Sequence, residues 1–272
     1  MCAALLWPGL VAAEPVDVRY TEGSLHGFLV VRAADGKVSA DGDAIQTVRG
    51  DRVTTHVVFH FRDGSLQDET TVYSQRRQFR LVSYRLAQKG PTFPRPLEMT
   101  VDGLSGQVSV RYLNEKGEHK VESEHVDVPP DLANGMIFTL LKNVRANNLP
   151  KSVSVIAATP KPRLVKLMIT PAGQEPFSIA GSRRQATHYV LKVELGGIAG
   201  VLAPVVGKKP PDSHVWIFPG EVPAFVKAEQ PLYAGSQLWR IELAGPAWPP
   251  TPALQKLAED RARLASPPPR RR

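Results

Sequence analysis

The chain is 272 residues long and carries 34 Lys+Arg against 26 Asp+Glu, a formal net charge of +8, with 25 Pro, 21 Gly and one Cys. An apolar share of 42% excludes a disordered chain, and this length buries a core without covalent staples. A single Cys excludes a disulfide framework and a cysteine-based zinc site, and no apolar run reaches the roughly 18 residues of a spanning helix.

Residues 1–13, MCAALLWPGLVAA, hold no charge and end in small side chains. Val11 and Ala13 fit the −3 and −1 positions of a signal-peptidase site, which predicts a signal peptide over 1–13, cleavage before Glu14 and a periplasmic or secreted protein. The basic flank that usually opens such a segment is absent. Cys2 has no preceding residues of the lipoprotein type.

Asp-Gly pairs at 35–36, 41–42, 63–64 and 102–103, with Asn114 to Gly117, punctuate β-branched and aromatic runs of strand length. Strands are predicted near 16–21, 25–33, 37–48, 52–62, 65–75, 79–87, 96–102, 107–113 and 118–128. A two-residue loop at Asp63-Gly64 pairs Arg62 with Ser65, Phe61 with Leu66 and Phe59 with Asp68. Val53, Thr55, Val57, Phe59 and Phe61 then share the buried face. His56, Val58 and His60 share the other with Gln67, Glu69 and Thr71.

Pro129-Pro130-Asp131 ends this run and offers Asp131 as a helix cap. Leu132, Met136, Leu140 and Val144, with Ile137 and Leu141 beside them, give one apolar helical face over about 131–146. Gly135 within it costs roughly 1 kcal/mol relative to Ala, which signals close packing. Strands resume at 151–158, 163–170, 176–180, 186–196, 213–218, 223–228 and 236–244. Together they predict a mainly β fold: about sixteen strands in a large curled antiparallel sheet or open barrel, the one main helix on its concave face. Residues 14–250 form a single β-rich domain on this reading. A basic Pro/Arg tail follows over 251–272, with a weakly amphipathic helix from Pro252 to Ala265.

Catalytic patterns are missing. His56 and His60 lie four apart on a strand, about 13 Å between Cα atoms, so they do not converge on a metal with Glu69. No G-x-S-x-G is present, and Gly103-Leu104-Ser105-Gly106 has the wrong spacing. Gly196 to Lys209 is Gly-rich without the phosphate-loop spacing. Its apolar stretch from Ile198 to Val206, followed by Lys208 and Lys209, suits a ligand mouth or a peripheral membrane contact. Aromatic and basic residues do not interleave as nucleic-acid stacking requires. The expectation is a protein that is not an enzyme and uses no cofactor or metal.

Tyr20-Thr21-Glu22-Gly23, the Asp35-Gly36 turn, Pro130 to Met136, Ala157-Ala158-Thr159-Pro160 and Gly196 to Gly200 resemble a group of exported bacterial proteins of unknown function. The likeness covers most of residues 15–248 and implies no activity. At the level of fold alone, a curled sheet holding a helix is similar to the periplasmic lipoprotein carriers of the Lol type, which hold acyl chains between sheet and helix. The function expected is binding of a hydrophobic or lipid-like ligand in the bacterial envelope. Met136, Ile137, Leu140 and Leu141 would form the pocket, with Ile198, Val201 and Leu202 at its mouth. The other reading is a structural or interaction module that meets an envelope protein and binds no small ligand.

Overall fold

The computed structural model describes residues 14–145, 149, 151–179, 181–194, 210–245, 251, 256 and 261. Eight strands come first: β1 (Leu25–Arg32), β2 (Val38–Arg49), β3 (Arg52–Phe61), β4 (Leu66–Gln75), β5 (Phe79–Lys89), β6 (Leu97–Asp102), β7 (Gln107–Leu113) and β8 (His119–His125). The helix α1 (Ile137–Asn143) follows, then β9 (Lys151–Ala157), β10 (Arg163–Ile179), β11 (Ser182–Val193), β12 (Ser213–Phe218), β13 (Ala224–Pro231) and β14 (Leu238–Leu243). All fourteen strands join one sheet in the order β8-β7-β6-β5-β4-β3-β2-β1-β14-β13-β12-β11-β10-β9. Every pairing is antiparallel. The chain thus lays down two meanders, and the pairing of β1 with β14 stitches them together.

The mainly β fold, the curled sheet and the single main helix agree with the pattern of alternation. The details differ in four places. The segment expected as a strand over 16–21 makes only one bridge, Asp17 to Gln78. The stretches at 163–170 and 176–180 are one strand of 17 residues. With these changes the count is fourteen strands, not sixteen. The C-terminal helix expected over 252–265 lies mostly outside the described residues; Lys256 and Arg261 are helical and exposed.

The third difference concerns the helix, which covers 137–143 instead of 131–146. Its N-cap is Met136, with no side-chain cap, so Asp131 does not cap it. The reason is competition for the backbone. Ala133 N–H donates to Ser154 C=O at 2.8 Å, and Ser154 N–H donates to Asp131 C=O at 3.2 Å. The Asn134 side chain continues the pattern, donating to Ile156 C=O and accepting from Ile156 N–H, both at 2.8 Å. Residues 131–134 therefore serve as a substitute strand along the free edge of β9, which an open sheet must cover. Gly135 then turns the chain at φ 68°, a left-handed conformation that no helix interior accepts.

The fourth difference is the register of the β3–β4 hairpin. Phe61 N–H donates to Ser65 C=O and Gly64 N–H to Phe61 C=O, with Gly64 at φ 84°. This is a three-residue loop with its glycine in the left-handed position. It pairs Phe59 with Gln67 and Val57 with Glu69, one residue away from the two-residue expectation. A one-residue slip exchanges the faces of a strand. Val53, Thr55, Val57, Phe59 and Phe61 do point inward, but Gln67, Glu69 and Thr71 point inward with them. His56 stays outside, its Nε2 3.3 Å from Asp68 Oδ1.

The interior holds two apolar clusters. The larger unites Leu81, Leu86, Met99, Val101, Val108 and Val110 of the first meander with Val153, Ile169, Leu191 and Val215 of the second, around Met136, Leu140 and Leu141. The smaller gathers Leu29, Val31, Phe59, Phe61, Phe93, Leu232 and Ile241 at the β1–β14 seam. The N-terminal segment crosses one end: Val18 N–H donates to Arg77 C=O, and Arg19 and Tyr20 N–H both donate to Asn143 Oδ1 at 2.8 Å. Where β8 and β9 fail to meet, Glu124 of β8 reaches Arg163 of β10 at 3.3 Å.

Candidate binding lumen

The pairing registers align inward side chains into rows that run across the first meander. One row is Leu29, Gly42, Phe59, Gln67, Gln88 and Leu97, and every member is buried. Gly42 is required here, because a Cβ would fall 2.4 Å from the Phe59 ring. The next row is Gly27, Ala44, Val57, Glu69, Leu86 and Met99. Its first four members are only half-buried, whereas Leu86 is 5% exposed and Met99 0%. Partial exposure on an inward face, stopping at Glu69 with Leu86 and Met99 sealed behind it, marks a candidate lumen. Beyond it lies the row Leu25, Gln46, Thr55, Thr71, Tyr84 and Val101, in which only Leu25 and Thr55 are not buried.

The helix side supplies the facing wall. Gly135 is exposed, yet a Cβ there would lie 1.9 Å from Thr71 Oγ1 and 2.9 Å from Glu69 Oε1. Three residues on, the Phe138 ring stacks on Phe225 of β13, centroids 4.5 Å apart at 28°. Both rings are half-buried, and Phe225 packs against both apolar clusters. The lumen is therefore walled by small and apolar residues, with polar groups at its inner end.

A hydrogen-bond network holds that wall in place. Lys142 Nζ pairs with Glu22 at 2.5 Å, Gln46 donates to Glu22 and to Gly23 C=O, and Tyr73 shares Thr139 Oγ1 and Gln46 Oε1 at 3.4 Å each. Burial pushes the Tyr73 hydroxyl up to about 12. Glu69 stands outside the network. Burial raises its carboxyl to about 7, and no described residue bonds to it. Tyr84 is raised well above its ordinary value by burial first and by the neighbouring Glu69 charge second.

Of the residues expected to form the pocket, Met136, Leu140 and Leu141 are 1%, 3% and 1% exposed and are packed within the larger cluster. Ile137 is half-buried against the same cluster. Ile198, Val201 and Leu202 lie outside the described residues. The expected set does not contain Glu69, which the register turns inward, or Phe138, which stacks on Phe225. For Glu69 the cause is the hairpin slip. The tripeptide Arg62-Asp63-Gly64, with Gly at the third loop position, is the signal that would have corrected it.

A second polar constellation lies on the outer face of β10–β13. Glu175 Oε1 is 2.9 Å from His188 Nδ1, and His188 Nε2 is 2.9 Å from His214 Nδ1. Trp216 Nε1 donates to Glu175 Oε2 at 2.8 Å, while His188 stacks on the indole at 4.3 Å and Lys227 Nζ lies 3.8 Å from its centroid. Desolvation, with smaller contributions from His214 and Lys227, holds His188 below its ordinary range despite the opposing Glu175. Among the described residues no serine, cysteine or threonine bonds to this constellation as a nucleophile would, and its members satisfy one another. It reads as a clamp at the root of the long β10–β11 hairpin.

Two surface clefts, of ≈ 310 and ≈ 360 Å³, lie elsewhere. One is under the N-terminal segment beside Asn143 and Lys151, the other beside Arg80 and Pro130; neither borders Glu69 or Phe138. Asp131, close to the second, is 4% exposed, and neither of its carboxylate oxygens has a partner among the described residues.

No family model and no curated protein matches this chain. Among solved structures, it is similar to a β-barrel-like protein of a domain of unknown function from Brucella abortus, at 10% identity and a TM-score of 0.46, over 83% of this chain and 98% of that one.

Proposed function

We propose that this chain is a non-enzymatic binding protein of the bacterial envelope that holds a hydrophobic, lipid-like ligand between sheet and helix. The observation that carries the reading is the half-buried inward row Gly27, Ala44, Val57 and Glu69, which lies beside the sealed row from Leu29 to Leu97. Close-packed interiors do not leave such a band of accessible inward side chains, and apolar walls with few polar groups are what small-ligand sites present. The uncharged apolar segment 1–13 supports placement beyond the inner membrane, periplasmic or secreted.

Binding of diphenylhexatriene, an uncharged rod that fluoresces in apolar surroundings, tests the site. The expected result is saturable fluorescence that Val57→Trp abolishes, because the indole fills the lumen, while the melting transition is retained. Equal binding by the Val57→Trp protein would overturn the assignment. Native mass spectrometry of protein taken from the envelope without detergent then reads the mass of any natural ligand. The interaction-module reading draws on a different feature. Beyond Gly173 the β10–β11 hairpin is exposed over most of its length, with Ile179 61% exposed.

A further inference from the structure

We propose that the ligand of this lumen carries a primary amine on a slender apolar stem and presents that amine to the Glu69 carboxyl. The inference rests on the binding function proposed above and adds the chemistry of the headgroup. Four observations converge. The wall residues Gly27, Ala44 and Val57 are small, so the stem they admit is narrow. Leu86 and Met99 close the row behind Glu69, so whatever enters ends at the carboxyl. Glu69 has no hydrogen-bond or ion-pair partner among the described residues, and the backbone beside it is the side-chain-free Gly135, so close that a Cβ there would lie 2.9 Å from Glu69 Oε1. The nearest interior cation of the helix, Lys142, is already engaged by Glu22 at 2.5 Å.

A carboxylate that stands alone in a low-dielectric site pays its desolvation without return, and an ammonium group supplies the missing partner. A fatty-acid anion would place a second negative charge against the first with no cation to balance it, which is strongly unfavourable. An ammonium at the blind end has Thr71 Oγ1 as a further acceptor beside Glu69. The groups that face Glu69 from the packed elements are Val57 on β3, Thr71 on its own strand, Tyr84 and Leu86 on β5, and Gly135. None of them is a cation.

The test uses the whole chain loaded with diphenylhexatriene and displaced by three ligands of equal stem: dodecylamine, laurate and dodecanol, each below its micelle concentration. Dodecylamine is expected to displace the probe at concentrations at least tenfold lower than laurate at pH 8. Its affinity should fall about tenfold at pH 6, where the raised Glu69 carboxyl is mostly protonated. Glu69→Gln should abolish the preference while still binding the probe. Laurate matching the amine, dodecanol exceeding it, or an amine preference unchanged in Glu69→Gln would each overturn the headgroup while the lumen stands. If the probe does not bind the folded wild-type chain, the lumen falls and the headgroup with it.

Discussion

Through its burial, Glu69 gives the stability of the fold a pH dependence of its own. Its folded carboxyl titrates at about 7 against an ordinary 4.5, so between those values the folded state holds more protons than the unfolded one. The contribution of Glu69 to stability is therefore greatest below about pH 4.5, declines as pH rises, and is lost above about 7. Glu69→Gln should remove this slope. Allowing for the partial exposure of the group, the variant should be more stable than wild type at pH 8 by about 2 kcal/mol. Urea denaturation at pH 5 and pH 8 checks it, and equal slopes in the two proteins would show that Glu69 does not titrate there. The sequence displays Glu69 plainly but not its direction. On a strand, direction is a parity, and parity depends on whether the loop before Ser65 holds two residues or three. Gly135 is more legible: the sequence implies tight packing there, and a Cβ at Gly135 would meet Thr71 and Glu69. Its place is a left-handed turn ahead of the helix, not the helix interior.

At the scale of elements, the segment 131–136 is the instructive case. Its apolar spacing matches a helix, and Gly135 alone opposes one, at a cost of about 1 kcal/mol. What overrides the pattern is the exposed edge of β9, some twenty residues later in the chain, whose unpaired backbone groups are satisfied by 131–134. Such a tertiary demand is invisible to periodicity. It makes Asn134 a structural keystone, since its amide fills two backbone positions at Ile156. Asn134→Ala leaves one buried N–H and one buried C=O of Ile156 without partners, and should cost about 2–4 kcal/mol. Hydrogen exchange at the Ile156 amide should accelerate by a matching factor. An unchanged rate at Ile156 would mean that another group protects this edge. The clamp of Glu175, His188, His214 and Trp216 was likewise unreadable, because it unites strands whose registers no local pattern reveals.

For the molecule as a whole, alternation was enough to give the class: many antiparallel strands, a curled sheet and a helix within. The strand order was not legible. Local turns dictate each hairpin, but the pairing of β1 with β14 joins residues about two hundred positions apart, as with Arg32 and Glu242. That seam depends on few side chains. Ile241, 3% exposed, packs opposite Val31 and beside Ala228, so it links the two meanders. Ile241→Ala should destabilise the fold by about 2–5 kcal/mol. It should also weaken diphenylhexatriene binding, since the proposed lumen includes Gly27 of β1 beside this seam. A loss of stability under 1 kcal/mol, read by urea denaturation, would show that the two meanders are held together chiefly by the helix.

The seam also has a mechanical meaning. Only four residue pairs connect β1 to β14, whereas eight connect β1 to β2. Because the two strands run antiparallel, the start of β1 and the end of β14 emerge on the same side. Tension between residues 24 and 244 would load those four pairs in sequence, as a zipper is opened, and not in shear all at once. A tether at these points would part the sheet at its shortest ladder, so the molecule would yield at low force and open beside the proposed lumen.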